Sequence, residues 1–534
     1  MSADEQLYYG GEICTVDRDS PAAEALAVKE GKIVAVGSQE ACRSLLSSTY
    51  EAVDLAGCAL LPGFIDTHLH PTLMVFYDLN LNLEGVSTVA GLQEKITLAG
   101  KTKKDDAWIV GLQFDDLSLA HEKPPLRQDL DAACADRPVL VVTFDGHRVI
   151  ANTRAIEMAG VTAETKDPAG GIIDREPSGY PAGVFRESAA QLMLGKMPFP
   201  EMGEVAESAG RTFAQLAACG ITSVGAVLQT GSEGPAGAAG AYDVPLMQML
   251  LDRVKINLYC LLVADDLAAL EAARESELHR PGSEPERRVG GIKIYSDGAL
   301  QAGTALLEEG YADDPNNRGL LVLSEKEIYA RMKAAHSAGF QVAIHAIGDA
   351  ANGLCLKLYD RLFEERPAPG HRHRLEHASV LNPQLIDDIA RLGLVVSSQP
   401  LFIHSEKSWL HKKLGPARAR WTYPYASLLQ AGVKLAGASD APVRPKDVLH
   451  AIQCCVTREG FQPEQGIGVA QALRAYTLDA AYAQFEENIK GSLSVGKRAD
   501  MVVLSQNPLS VQPDQIGAIE VVKTICGGAT VYQA

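Results

Sequence analysis

The chain has no Cys-x-x-Cys spacing, and its ten cysteines stand singly apart from the neighbours Cys454 and Cys455. In a chain of 534 residues this reads as reduced, mostly buried thiols rather than a disulfide framework. No apolar run approaches the roughly 20 residues that span a bilayer. Met1-Ser2-Ala3-Asp4-Glu5-Gln6 lacks the basic region and apolar core of a secretory signal. Positive charge is in deficit: 49 Lys and Arg face 67 Asp and Glu, a formal net charge of -18. That disfavours a nucleic-acid backbone and non-specific attraction to a membrane. Together these absences point to a cytoplasmic protein with neither nucleic acid nor membrane as partner. What is present is ordinary globular chemistry, 46% hydrophobic and 22% charged. The length exceeds one compact domain but suits a barrel with insertions and a small second domain.

The organising stretch is Pro62 to Pro71, Pro-Gly-Phe-Ile-Asp-Thr-His-Leu-His-Pro. Phe64-Ile65 predicts a short buried strand, and alternation along it puts His68 and His70 on one side. Two imidazoles so placed suit one metal ion. A polar turn that happens to hold two histidines is the plain alternative.

Before this stretch, Ala25-Leu-Ala-Val28 and Ile33-Val-Ala-Val36 flank Glu30-Gly31 and predict a hairpin. Far away, Asp500-Met-Val-Val-Leu504, Val521-Val-Lys-Thr-Ile525 and Thr530-Val-Tyr532 predict further strands. Residues 1–62 and 485–534 are therefore expected to form one small β-sandwich domain. Residues 63–484 alternate strand and helix, the pattern of a parallel sheet covered by helices. Candidate strands begin near Ile221, Ile256, Gly291, Val342, Arg374, Leu394 and Lys434. With the His68 strand they number eight, enough to close a (β/α)8 TIM-like barrel whose active site sits at the C-terminal strand ends. A long insertion at about 105–200, after the first barrel strand, carries Trp108-Ile-Val-Gly and Val139-Leu-Val-Val-Thr-Phe. It reads as a substrate cap, with an inert embellishment as the alternative.

Four more residues share the character of the His68/His70 pair. Lys293 lies inside the apolar run Gly291-Ile-Lys-Ile-Tyr, where an ammonium is costly to bury. His345 ends Val342-Ala-Ile-His, His377 ends Leu375-Glu-His, and Asp440 follows Gly437-Ala-Ser. Each has a structural alternative: an ion pair for the lysine, caps for the others. A barrel favours the joint reading, because it brings its strand ends to one rim.

These stretches resemble the amidohydrolase superfamily, from Gly63-Phe-Ile-Asp-Thr-His-Leu-His to Gly491-Ser-Leu-Ser-Val-Gly-Lys-Arg-Ala-Asp-Met-Val-Val-Leu. Asp145-Gly-His-Arg-Val-Ile-Ala-Asn, His345-Ala-Ile-Gly-Asp, Arg374-Leu-Glu-His, Gly437-Ala-Ser-Asp-Ala-Pro-Val and Ala472-Leu-Arg-Ala-Tyr-Thr add to it. Within the superfamily the chain is similar to the amidohydrolase-3 branch, which includes N-substituted formamide deformylases. The resemblance implies two divalent ions, Zn²⁺ first, with Mn²⁺, Fe²⁺, Co²⁺ or Ni²⁺ as substitutes. His68, His70 and Asp440 would hold one and His345 and His377 the other. Lys293 would bridge both as a carbamate formed with carbon dioxide. A hydroxide shared by the pair would attack a carbonyl carbon while Asp440 carries its proton to the leaving nitrogen. The expected enzyme cleaves the C–N bond of a small-molecule amide: an N-acyl or N-formyl amine or a cyclic amide. A mononuclear deaminase and a catalytically silent binding or regulatory protein are the rivals. His147 is a candidate for orienting substrate. Phe114, Asp115, Gln399, His404 and Trp409 are candidates for shaping the pocket, and Phe402 to Gly415 for a lid. A homodimer would suit such a chain.

Overall fold

The computed structural model describes the chain except residues 1–4, 103–106, 116–118, 120–122, 144–147, 169–170, 198–199 and 235–236. Two compact units account for it: 1–73 with 209–534, and 74–208.

The larger unit contains eight parallel strands: β1 (Phe64–Leu69), β2 (Ile221–Gln229), β3 (Asn257–Val263), β4 (Arg287–Tyr295), β5 (Gln341–Ala346), β6 (Arg374–His377), β7 (Val395–Ser398) and β8 (Lys434–Gly437). Each pairs with its neighbours in chain order. Strands such as Ile221-Thr-Ser-Val-Gly-Ala-Val-Leu-Gln and Asn257-Leu-Tyr-Cys-Leu-Leu-Val are buried throughout. Burial on both faces is why they read as apolar runs rather than alternating ones. Helices cover the outside, and their ends follow side-chain chemistry. Ser324 Oγ accepts from Glu327 N–H at the start of Glu325–Ser337, while the Glu327 carboxylate accepts from Ser324 N–H. Asn382 caps Pro383–Arg391, whose apolar face buries Leu385, Ile386 and Ile389.

Around the seam between β1 and β8, Thr67 Oγ1 donates to Gly437 O at 3.0 Å. Beyond the strand ends, Asp440 N–H donates to His68 O at 2.8 Å and His70 N–H to Ala441 O at 2.8 Å. The result is a nearly closed (β/α)8-type barrel. On the other side of β1, a Cβ on Gly225 would lie 1.9 Å from Thr67 O. Only glycine permits β1 and β2 to approach this closely.

Strands from both chain ends share one sheet. Its order is Ala529–Gln533, Val521–Cys526, Met501–Leu504, Ala59–Pro62, Glu5–Cys14, Ala22–Lys29, Lys32–Gly37. The hairpin expected around Glu30-Gly31 joins the last two strands. Leu26, Val28, Leu60, Met501, Val503 and Ile525 share its apolar core.

The 74–208 unit has its own six-stranded sheet, ordered Gly171–Arg175, Pro181–Glu187, Arg148–Ala151, Val139–Thr143, Ile109–Phe114, Leu81–Asn82. Strand alternation sends Ile109, Val139 and Val141 into one apolar cluster and Val110, Leu140 and Val149 into another. Helix Val89–Thr102 adds Leu92 and Ile96 to the first. No helix among the described residues is long and apolar enough to cross a membrane.

Candidate metal centre

Strand register explains how distant residues meet. Across β4 and β5, Lys293 pairs with Ala343 and Tyr295 with His345. Across β5 and β6, His345 pairs with Glu376 and Ala346 with His377. Lys293, His345 and His377 thus lie on adjoining strands near one rim, while the β1–β8 seam delivers His68, His70 and Asp440.

His68, His70 and Asp440 each offer a donor atom within 4.8 Å of the others. His70 Nε2 lies 3.1 Å from Asp440 Oδ1, and His68 Nε2 lies 3.5 Å from the same oxygen. The Lys293 amine lies 3.2 Å from His68 Nε2. The His377 ring centroid is 5.2 Å from that of His68 and 4.5 Å from that of His345. All six residues are buried.

Hydrogen bonds orient the imidazoles. His68 Nδ1 donates to Glu376 Oε2 at 2.6 Å, which turns its Nε2 lone pair toward Asp440 and Lys293. Glu376 in turn accepts from Arg374 Nε at 2.6 Å and Nη2 at 3.0 Å. His377 Nδ1 donates to Gln399 Oε1 at 2.8 Å. His345 Nε2 donates to Gly298 O at 3.1 Å, and its buried Nδ1 has no hydrogen-bond partner. A buried lone pair without a partner is costly, and a cation would satisfy it.

Backbone strain marks the same positions. His377 (φ 71°), Ala378 (φ 46°) and Asp440 (φ 61°) occupy the left-handed region. Such conformations persist only where surrounding contacts enforce them. One aspartate supplies such contacts beside Asp440, and a second braces the neighbouring turn. Asp66 Oδ1 accepts from His68 N–H at 3.2 Å and Ser439 N–H at 3.1 Å, tying β1 to the Asp440 turn. Asp297 accepts from Ile347 and Gly348 N–H at 3.0 and 2.9 Å, fixing the turn after His345.

The electrostatics suit a ligand set. Burial pulls the His68 imidazole down to about 4 and His377 to about 3, and holds His345 well below its ordinary value. All three are neutral at physiological pH, the state that binds metal. Burial, the largest single influence, would raise Asp440, but the hydrogen bond from His70 and the fields of His68, His377 and His70 together outweigh it and keep the carboxyl far below its usual range. Burial alone would likewise lift Glu376, and the Arg374 guanidinium, the His68 hydrogen bond and the Lys293 amine together reverse this. Burial lowers the Lys293 amine to about 8, although Glu376 and Asp440 pull it back up.

The other candidates scatter. Gln399 is fully buried against His377 rather than lining open space. His404 is 55% exposed and pairs with Glu459. Trp409, half-buried, precedes helix Leu410–Ala419. Phe402, in the stretch read as a lid, stacks on His377 at 6.2 Å. Phe114 packs in the core of the 74–208 unit, and Asp115 follows it there. His147 lies outside the described residues. Glu376, Arg374, Asp66, Asp297 and Tyr295, whose ring faces the Lys293 amine at 4.4 Å, were not singled out from sequence. The only signal was their place within the same short motifs.

Comparison with known proteins adds a lineage. A profile of the Amidohydrolase family matches residues 51–532. Protein LONG AFTER FAR-RED 3 of Arabidopsis thaliana is 31% identical over 536 residues, covering 98% of this chain and 91% of that protein. The N-substituted formamide deformylase of Arthrobacter pascens is 25% identical over 549 residues, covering 99% and 98%. Among solved structures, an uncharacterized metal-dependent hydrolase from Pyrococcus horikoshii matches with a TM-score of 0.77 at 25% identity. The match covers 95% of this chain and 99% of that one.

Proposed function

The chain belongs to the amidohydrolase family, in its amidohydrolase-3 branch, and from that premise we propose that it is a metal-dependent hydrolase cleaving a C–N amide-type bond in a small molecule. The observation that carries this reading is the convergence of six buried donors from five separate segments, with the His68, His345 and His377 imidazoles neutral. His68, His70 and Asp440 would hold one ion of the zinc class, and His345 and His377 a second. When bound, such ions acidify water and polarise a carbonyl.

The chain's own groups have defined tasks. Glu376 and Gln399 hold the Nδ1 protons of His68 and His377, so that each Nε2 presents a lone pair. Lys293, depressed by burial, supplies a neutral amine at mildly alkaline pH. Its addition to carbon dioxide would form an N–C bond and release one proton, converting that neutral amine into an anionic oxygen ligand. Asp440 Oδ1 faces His68 and His70; its other oxygen takes the proton of the attacking water and returns it to the leaving nitrogen. Similarity to the N-substituted formamide deformylase of Arthrobacter pascens favours N-formyl or N-acyl amines as substrate class. A mononuclear deaminase would leave Lys293 without a task, despite its amine lying 3.2 Å from His68 Nε2. A silent regulatory protein would have no use for an inward-facing donor set.

The test loads the protein with Zn²⁺, counts ions per chain and screens N-formyl and N-acyl amines, lactams and aryl esters. We expect two ions at this centre, C–N hydrolysis, and loss of activity in Lys293→Ala that a short carboxylic acid restores. Undiminished activity of Lys293→Ala without added acid would overturn the bridging role. A fully loaded enzyme that cleaves none of the panel would overturn the substrate class.

A further inference from the structure

A second group of donors lies apart from that centre. His404 belongs to the helix Leu401–Glu406, which follows β7, and His450 to the helix Val448–Thr457, which follows β8. Glu459 lies just beyond the second helix. Its Oε1 is 2.9 Å from His404 Nδ1 and 2.9 Å from His450 Nε2. Cys454 Sγ, one helical turn after His450, approaches the same oxygen at 3.5 Å. Lys407 Nζ instead takes the other oxygen, at 2.5 Å.

The backbone is bent to make this meeting. The helix closes with Arg458 (φ 54°) and Glu459 (φ 47°), two consecutive left-handed residues that are not glycine. Arg458 is fully buried and donates to Tyr423 O at 2.8 Å and Thr422 O at 3.1 Å. Those contacts hold the strained turn and leave Glu459 facing both histidines. The two imidazoles meet edge to face, centroids 4.9 Å apart at 72°. Their nitrogens, not their ring faces, therefore point at the carboxylate.

We propose that His404, His450 and Glu459 form a further cation site, taking a divalent ion of the zinc class. His450 and Cys454 both reach one carboxylate oxygen and His404 lies 2.9 Å from each of the two oxygens, whereas a cation between them would use two imidazole lone pairs and the shared oxygen. Two imidazoles and one carboxylate are a zinc-type set, with a fourth position for water or the Cys454 sulfur. Bonds of about 2.0–2.2 Å in tetrahedral geometry separate ligand atoms by roughly 3.3 Å. The observed 2.9 Å gaps need open by only a few tenths of an ångström, which the exposed His404 can give. Lys407 stays on the far oxygen and opposes the ion by its charge. Occupancy ties the helix after β7 to the helix after β8. Phe402, two residues before His404, stacks on His377, so the ion steadies one wall of the central site.

The experiment is equilibrium dialysis of the full chain against Zn²⁺, with ions counted per chain for wild type, His404→Ala, Glu459→Gln and Lys407→Met. Because His404 is largely exposed, its truncation leaves the fold intact, which circular dichroism checks. We expect wild type to bind one ion more than His404→Ala and Glu459→Gln at the same free zinc. Lys407→Met should hold that ion about tenfold more tightly, and His68→Ala should retain it, which separates this site from the central one. Substituted Co²⁺ gives a second readout: a ligand-field band in wild type that is missing from His404→Ala. Equal ion counts in wild type and His404→Ala, or identical cobalt spectra, would overturn the proposal.

Discussion

Glu376→Gln is the most informative single change, because Glu376 has a role in stability and a role in orientation. Its carboxylate accepts three charge-assisted hydrogen bonds: Arg374 Nε at 2.6 Å, Arg374 Nη2 at 3.0 Å and His68 Nδ1 at 2.6 Å. Glu376 and Arg374 are both 0% exposed, so solvent does not screen the pair. Removing one partner of such a buried pair leaves the other charge uncompensated and costs about 3–5 kcal/mol. The second effect is local: His68 loses its anionic proton acceptor, which lowers metal affinity by about 10–100-fold. Replacing both charges, Arg374→Met with Glu376→Leu, removes the stranded guanidinium. It should recover most of the stability and none of the metal affinity. Urea unfolding read by fluorescence measures the first effect, and competitive zinc titration against a chromophoric chelator measures the second. If Glu376→Gln unfolds within about 1 kcal/mol of wild type and binds zinc equally well, the chain from Arg374 through Glu376 to His68 is decorative and the reasoning fails.

Three further outcomes are expected. Gly225→Ala places a Cβ 1.9 Å from Thr67 O, so β1 must shift beside His68; a loss of about 1–3 kcal/mol with weakened metal binding is expected, and an unchanged melting temperature would refute it. Gln399→Leu removes the acceptor of the His377 Nδ1 proton and should cut metal affinity by about 10–100-fold with little change in circular dichroism; unaltered zinc affinity would count against it. Burial raises the Glu406 carboxyl from 4.5 to about 7, against the Tyr423 hydroxyl at 2.7 Å, so the folded state keeps a proton that the unfolded chain releases. Its stabilising contribution is full below about pH 4.5 and is lost as pH rises through 7. In Glu406→Gln, unfolding measured across this window should lose a falling slope of roughly 1 kcal/mol per pH unit, and parallel curves for the two proteins would exclude the effect.

Much of the architecture was legible because its periods are local. All eight barrel strands appear where the apolar runs were read, and Lys434–Gly437 and Arg374–His377 match to the residue. Helix Glu325–Ser337 begins at its capping box and Pro383–Arg391 at its Asn cap. The 74–208 unit was harder to delimit. Helix Val89–Thr102 belongs to it by burying Leu92 and Ile96 in its core, a pairing invisible to local pattern. His404 shows the limit at a site: strand-end position suggested the pocket, yet its partner Glu459 lies 55 residues away.

The sequence by itself determined which donors exist and that each lies at or near a strand end, since strand alternation and apolar length are properties of neighbouring residues. Only the tertiary structure decided which nitrogen of each imidazole faces inward. The proton acceptors that settle this lie 308, 22 and 47 residues from His68, His377 and His345, and only barrel closure and strand register bring them together.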